Sequence, residues 1–290
     1  MRKLFVCIAL GLTTLTGNAA SPLWMRDVQI SPDGTEIAFC YKGDIYKVSA
    51  GGGTAIQLTT QPSYECTPIW SPDSKQIAFA SDRNGNFDIF VMPATGGTAQ
   101  RLTTHSSSEL PSAFTPDGKY ILFSASIQDP SQSALFPTTA MTELYKVPVN
   151  GGRTEQVLGT PAEAVCYAPS GEFFLYQDRK GFEDEWRKHH TSSITRDIWL
   201  YDTKTGKHTN LTNHAGEDRN PVLSPDGKSV YLLSERKGSF NVYSFPLDNA
   251  QDLKAVTSFK THPVRFLSMS HGGTLCYAYD GEIYTQKDKA

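Results

Sequence analysis

The sequence has few of the features that mark the common functional classes of protein. It has no excess of basic charge, since 27 lysine and arginine residues stand against 30 aspartate and glutamate residues. We therefore expect no nucleic-acid partner, because a phosphate backbone is held by a large basic field. After residue 20 no apolar run is long enough to span a membrane, and no segment has a convincing helical period. These absences favour an all-β chain without a membrane span.

Sequence signals for catalysis and metal binding are also missing. No Gly-x-Ser-x-Gly motif occurs, and the His-Gly-Gly at residues 271–273 stands where a turn is expected. Neither His-Glu-x-x-His nor paired Cys-x-x-Cys occurs. The alternating polar residues at positions 82–88 begin like a calcium loop but lack the glycine and glutamate of an EF-hand. We predict no catalytic residues, no metal site and no cofactor.

The first twenty residues have the pattern of a secretory signal peptide. Arg2 and Lys3 precede an apolar stretch at residues 4–15, which is shorter than a membrane span. Small residues at positions 17–20 offer a cleavage site. The sequence predicts a signal peptide at residues 1–20 and a mature domain at residues 21–290, exported to the periplasm or the extracellular space.

Four cysteines follow this segment: Cys40, Cys66, Cys166 and Cys276. An oxidising compartment would permit any of the three ways of pairing them. Each lies inside an apolar run, however, where cysteine usually serves as a small buried hydrophobic residue. The sequence favours free thiols over disulfides and leaves the pairing open.

A four-residue phrase recurs along the chain. Its most regular form is Ser-Pro-Asp-Gly, and its copies start at residues 31, 71, 115, 168, 224 and 270, the last being degenerate. Proline fixes φ, aspartate accepts local backbone hydrogen bonds and glycine allows a positive φ, so the phrase predicts a tight turn between strands. Intervals of 40 to 56 residues suit four-stranded propeller blades.

The residues between these turns repeat in a fixed order. In the second repeat an inner strand precedes the turn, Asn84-Gly85 marks a later hairpin, and a polar outer strand ends in Leu102-Thr103. The sequence predicts an all-β, six-bladed β-propeller of four-stranded antiparallel blades. Its last blade has candidates for three strands, at residues 264–268, 274–279 and 282–286, and lacks an outer strand. Because an unpaired edge is unfavourable, we interpret this chain as the leading part of a longer polypeptide. A ring that closes unconventionally is the alternative.

The turn phrase and the Asp44-Ile45-Tyr46 type of strand resemble the WD40-like repeats of the TolB propeller and of tricorn-type proteases. Two insertions favour the tricorn N-terminal propeller, one at residues 126–141 in the third blade and one at residues 181–193 in the fourth. The second insertion precedes an Ile198-Trp199 strand, as in the tricorn fourth blade. The resemblance covers residues 22–290.

This resemblance implies a non-catalytic domain. In the tricorn family a second propeller, a PDZ domain and a serine-protease core follow, and the first propeller controls substrate entry or product exit. The expected partners are peptides or proteins, including downstream peptidase domains of the same polypeptide. The family's arginine pair, which holds a peptide carboxylate, has no counterpart at residues 105–109, so that role is not transferred.

The fourth-blade insertion is the best candidate for a binding site. After three acidic residues it carries Trp186, Arg187, Lys188, His189 and His190. Arginine and lysine bind carboxylates, tryptophan stacks, and histidine gains charge below about pH 6.5. We predict that these five residues bind a peptide or a partner domain at one end of the propeller. The alternative is a loop whose charges pair with one another on their own blade.

Two other functions compete with a peptidase-associated gate. A free-standing, TolB-like interaction module in the periplasm would need no further domains. A propeller enzyme such as a polysaccharide lyase would use clustered histidines and a metal, and no such ligand set is recognisable in the sequence. Whether the protein forms a homo-oligomer stays open at this point.

Overall fold

The structure, a computed structural model, describes residues 24–127, 141–181, 184, 186–189 and 192–287. The predicted signal peptide lies outside these residues. Every regular element within them is a β-strand, and the strands form six antiparallel sheets. The strands of the first three sheets are β1 Arg26–Ile30, β2 Glu36–Tyr41, β3 Asp44–Ser49, β4 Ile56–Gln57, β5 Glu65–Trp70, β6 Gln76–Ser81, β7 Asp88–Pro93, β8 Gln100–Arg101, β9 Glu109–Phe114, β10 Tyr120–Ala125, β11 Glu143–Pro148 and β12 Glu155–Leu158. Those of the last three are β13 Ala162–Tyr167, β14 Phe173–Asp178, β15 Ile198–Asp202, β16 His208–Asn210, β17 Asp218–Leu223, β18 Ser229–Ser234, β19 Asn241–Pro246, β20 Lys254–Ala255, β21 Arg265–Met269, β22 Thr274–Tyr279 and β23 Glu282–Lys287.

Each sheet is one propeller blade whose strands pair in chain order. Blades 1 to 5 have four strands and blade 6 has three, β21-β22-β23. The predicted all-β, six-bladed propeller is therefore confirmed, including the three strands of the last blade.

The recurring turn is held by its own side chains. In blade 2 the hydroxyl of Ser71 donates to the Asp73 carboxylate over 2.7 Å and accepts the backbone N–H of Gln76 over 2.9 Å. The same carboxylate accepts the N–H of Lys75 over 3.1 Å. The hydrogen bond from Ser71 lowers the pKa of Asp73. This network explains why serine and aspartate flank the proline at the turn between the first two strands.

The hydrophobic core lies between the blades. Each of six apolar clusters joins neighbouring blades, and one of them places Val28 and Phe39 of blade 1 against Cys276 and Ala278 of blade 6. The backbone N–H of Ile30 also donates to the hydroxyl of Ser268 in blade 6 over 3.1 Å. The ring is thus closed by direct packing of the first blade on the last.

The four cysteines are free thiols in these interfaces. Cys40 and Cys276 are buried, and Cys66 and Cys166 are half-buried. Burial raises the pKa of the Cys66 and Cys276 thiols to about 12. The interpretation of these cysteines as small hydrophobic residues agrees with this arrangement.

The inner strands share an irregularity that shapes the centre of the ring. In five blades one non-glycine residue has a φ between 48° and 58° at the same distance before the turn, and the pairing register shifts there. These residues are Asp27, Thr67, Ala164, Asn220 and Phe266. Blade 3 has Pro111 at this position, and the proline ring keeps φ near −65°. Such bulges redirect side chains, and the residues at this position face the ring axis.

Candidate functional site

A cavity of about 580 Å³ runs along the axis of the ring. All six inner strands contribute to its wall, and the bulge residues at the equivalent position of every blade line it. We call this cavity the central channel. Serines 106–108 and Leu110 of blade 3 form one side of it, so the segment that lacks the family's arginine pair does lie at the channel.

The residue before each bulge gives the channel an uneven charge. Blades 5, 6 and 1 carry Arg219, Arg265 and Arg26 at this position, and blade 4 carries Glu163. Blades 2 and 3 carry uncharged residues there. This end of the ring therefore has arginines on blades 5, 6 and 1, an acidic residue on blade 4 and uncharged residues on blades 2 and 3.

Trp186 lies at this end of the channel. Its indole lines the central channel and also a second cavity of about 400 Å³, which lies against blades 6 and 1. The guanidinium groups of Arg26 and Arg265 lie 4.4 Å and 5.1 Å from the ring centre, and the Phe266 ring makes an edge contact at 6.0 Å. The fourth-blade insertion thus reaches across the ring opening to blades 6 and 1, and Trp186 remains 45% exposed.

Arg187 points the opposite way, into the protein. It is 4% exposed, and its guanidinium donates to the carboxylates of Glu217 and Glu235 over 2.5 Å each. Burial by itself lowers the pKa of Arg187, but the hydrogen bonds to Glu235 and Glu217 outweigh that effect and raise it. The charge of Arg187 is therefore neutralised within the chain, and this side chain anchors the insertion to blade 5.

The anchor belongs to a larger charged network. Arg196 donates to the other oxygen of Glu217 over 2.7 Å, and Arg219 lies 3.8 Å from it. Burial raises the pKa of Glu217, but the charges of Arg219 and Arg196 and the hydrogen bonds from Arg187 and Arg196 lower it further than burial raises it. Glu217 stays ionised in the interior because three arginines surround it.

Lys188 of the predicted site lines the second cavity. Lys188 Nζ lies 3.1 Å from Nδ1 of His262, and His262 Nε2 lies 3.2 Å from the Asp280 carboxylate. Trp24 and Tyr279 also line this cavity. His189 is exposed, and His190 lies outside the described residues, as do residues 128–140 of the third-blade insertion.

The structure thus brings Trp186 and Lys188 together at the second cavity and places Arg187 in the interior. Their contacts on blades 1 and 6, which are Arg26, His262, Arg265 and Phe266, were not predicted from the sequence. Aligning the six repeats would have found the arginines, because they recur five residues before the first residue of the turn phrase in blades 1, 5 and 6.

A buried carboxyl group beside the channel lacks the partner found in other blades. Glu109 is 1% exposed, and burial raises its pKa to about 7. In blade 2 the equivalent Glu65 accepts a hydrogen bond from Arg83 over 3.0 Å, and in blade 5 Asp218 accepts from Arg236 over 2.9 Å. Blade 3 has Ile127 in place of the arginine.

The described residues contain no group of three or more His, Cys, Asp or Glu side chains placed to hold a metal ion. They also contain no helix long and apolar enough to cross a bilayer.

The sequence profile of the tricorn protease N-terminal β-propeller domain matches residues 22–290. The chain belongs to this family. The propeller is also similar to the crystal structure of the tricorn protease, with a TM-score of 0.76 and 22% identity over 92% of this chain and 25% of that one. TolB from Acinetobacter baumannii gives a TM-score of 0.68 and 20% identity, over 88% of this chain and 62% of that one. At such identities these similarities establish the fold.

Curated relatives match shorter parts of this tricorn-type propeller. An uncharacterized protein of Agrobacterium fabrum, Atu1656, is 31% identical over 146 residues, which cover 49% of this chain and 44% of that protein. The uncharacterized peptidase YuxL of Bacillus subtilis is 32% identical over 72 residues, covering 25% of this chain and 10% of that protein. The matched segments span less than half of each relative's own length.

Proposed function

We propose that this domain docks or gates peptide substrates for an exported, tricorn-like serine peptidase whose catalytic domains lie beyond this chain. The observation that carries the proposal is the position of Trp186 across the end of the central channel, between Arg26 and Arg265. Any extended segment that enters the channel from this end meets the indole first.

The chemistry of the opening suits a peptide. Arginine side chains bind carboxylates and backbone carbonyl groups, and an exposed indole stacks on apolar side chains. Serines 106–108 and Leu110 on the opposite side offer hydroxyl groups and an apolar contact without charge. One end of a peptide can therefore be held by its charge while its side chains lie on the uncharged wall.

The contacts of Trp186 are weaker than those of its neighbour Arg187, and this difference supports a gate. The exposed cation–π contacts of Trp186 are each worth about 0.5–1 kcal/mol, so thermal motion can break them. The buried pairs of Arg187 with Glu217 and Glu235 are far harder to break, because an unpaired buried charge costs about 3–5 kcal/mol. The insertion can thus keep its anchor while the indole swings away from the opening.

Export rests on the signal-like pattern of residues 1–20. A free-standing, TolB-like periplasmic interaction module remains the alternative, and the similarity to 62% of the TolB chain favours it. The two functions differ in partner, because the first needs peptides and peptidase domains and the second needs a folded protein.

The test is peptide binding by the purified protein, measured by fluorescence anisotropy with a labelled pool of random hexapeptides. We expect saturable binding that Trp186→Ala and Arg265→Ala each change at least about threefold. Lys204→Ala is the matched control, since Lys204 pairs with Glu172 over 2.6 Å and lines neither cavity. An absence of binding, or the same affinity in all four proteins, would refute the peptide proposal and favour the TolB-like alternative.

A further inference from the structure

Four blades close their outer strand with the same pair of residues, an aliphatic residue followed by threonine. The pairs are Leu58-Thr59, Leu102-Thr103, Leu211-Thr212 and Val256-Thr257. In each blade the threonine hydroxyl accepts the backbone N–H of one third-strand residue over 2.9 Å. The aliphatic residue donates its own N–H to the carbonyl of that same third-strand residue over 2.8 Å. We call this arrangement the threonine clip.

A polar contact extends the clip by one residue in two blades. In blade 2 Arg101, which precedes the clip, lies 2.7 Å from the carboxylate of Asp88 at the start of the third strand. In blade 1 Gln57, at the same position, donates to Asp44 over 3.0 Å. The third strand therefore holds the outer strand through an acidic side chain and through the N–H and carbonyl of one residue. The aliphatic residue of the clip adds an apolar contact.

Blade 6 offers the third-strand half of the clip without the outer strand. Ile283 pairs with Ala278 as Ile45 pairs with Cys40 in blade 1, so its N–H and carbonyl face the outer edge. Glu282 stands where blades 1 and 2 have Asp44 and Asp88. Among the described residues no strand pairs with this edge of β23, and Thr285 at its next outward position is exposed.

We propose that the outer edge of β23 is a docking site for an extended polypeptide segment with the sequence Arg or Gln, then Leu or Val, then Thr. The segment adds antiparallel to β23 as a fourth strand, which is the β-augmentation mode of recognition. Its threonine accepts the N–H of Ile283, its aliphatic residue donates to the Ile283 carbonyl, and its arginine or glutamine contacts Glu282. The four complete clips in this chain supply the register and the residue preference.

The test uses a labelled peptide that copies residues 96–104 of blade 2, Gly-Gly-Thr-Ala-Gln-Arg-Leu-Thr-Thr, and the full chain. We expect saturable binding by fluorescence anisotropy, and at least about fivefold weaker binding when the peptide carries Thr103→Val or Arg101→Glu. Glu282→Arg in the protein should restore binding of the Arg101→Glu peptide. Equal binding of all three peptides, or no rescue by the charge exchange, overturns the proposal.

A pair of protein variants tests the backbone contact. Thr285→Pro removes an outward N–H at an exposed edge position, where proline is tolerated, and should abolish binding. Thr285→Val, which copies Val91 of blade 2, should keep it. Circular dichroism checks that both variants fold.

Tethering the peptide to the protein allows the contact to be tested even if the free peptide binds weakly. The same peptide, joined to the C-terminus by a flexible Gly-Ser linker, has a millimolar effective concentration. It should slow hydrogen exchange of the Ile283 amide at least about tenfold relative to the tethered Thr103→Val peptide. Unchanged exchange overturns the proposal. A stable dimer that Thr285→Pro converts to monomer would assign the edge to a second copy of the chain and overturn it as well.

Discussion

The guanidinium of Arg26 lies 4.4 Å from the centre of the Trp186 indole, although these residues belong to blades three positions apart in a ring of six. A contact of this kind between opposite blades is made only across the opening of the ring. It joins the first strand of the domain to the fourth-blade insertion, and Arg265 of blade 6 holds the same insertion by donating to the carbonyl oxygens of Trp186 and Arg187 over 3.0 Å and 3.2 Å. The insertion is therefore a strap over one end of the channel.

Adjacent residues of this strap should differ sharply in their effect on stability. Arg187→Ala leaves Glu217 and Glu235 buried with fewer cationic partners, so we expect the free energy of unfolding to fall by about 3–5 kcal/mol. Trp186→Ala removes two exposed cation–π contacts and should cost about 1–2 kcal/mol. Urea unfolding followed by circular dichroism measures both. Equal losses would mean that the strap is not anchored through Arg187.

The stability of the domain should depend on the ionisation of Glu109. Burial raises the pKa of its carboxyl group to about 7, whereas the ordinary value is 4.5. Between these pH values the folded state keeps a proton that the unfolded chain has released, so stability falls as the pH rises through this window. Glu109→Gln should therefore be more stable than the parent at pH 8, by about 2 kcal/mol, and equal to it below about pH 4.5.

Glu65→Gln is the matched control for this experiment. Glu65 is also buried, but it has Arg83 as a partner over 3.0 Å. Removal of its charge leaves that arginine without its anion, so the variant should be less stable than the parent at pH 8. A loss of stability in Glu109→Gln at the same pH would contradict the interpretation that Glu109 lacks the arginine partner found in blades 2 and 5.

Copying the blade 3 residue into blade 5 should reproduce the Glu109 environment. Arg236→Ile removes the hydrogen bonds to Asp218 over 2.9 Å and 3.1 Å and the one to Ser234 over 2.8 Å. Burial already raises the pKa of Asp218, and the loss of the cation raises it further. We expect a loss of about 3 kcal/mol at pH 8 and a smaller loss at pH 5, where more of the carboxyl group is protonated.

The control for that variant is Lys237→Ile, which removes a positive charge at the next, exposed position. Thermal unfolding at both pH values should show a change within about 0.5 kcal/mol for this control. A loss of the same size at pH 5 and pH 8 for Arg236→Ile would attribute the effect to packing on Tyr243 rather than to the charge of Asp218.

The fold could be predicted because its information is local and repeated. Each turn phrase carries the residues that hold it, as Ser71 and Asp73 do, and six copies specify six blades. The channel site could be predicted only in part. Nothing in the run from Trp186 to His189 tells which neighbour faces inward, because the partners of Arg187 lie 30 and 48 residues further along the chain. Burial of such a charge depends on the assembled ring.

The threonine clip of blade 5 should depend on the hydroxyl group of Thr257. The hydroxyl of Thr257 accepts the N–H of Val242 over 2.9 Å and donates to the Asn241 side chain over 2.9 Å. Thr257→Val keeps the volume but leaves the fully buried Val242 amide without its acceptor, which should cost about 1–3 kcal/mol. Hydrogen exchange of that amide should accelerate by more than the change in global stability explains, since the outer strand opens first.

Thr261→Val is the control, because Thr261 is exposed and its substitution should stay within about 0.5 kcal/mol. If the Val242 amide remained protected in Thr257→Val, side-chain packing rather than the hydroxyl would hold the outer strand. The threonine of a docking segment would then not contribute to recognition. The β23 edge would select only the aliphatic residue of that segment and the residue that contacts Glu282. Acceleration in Thr257→Val alone instead supports the clip as the element that an incoming strand must supply.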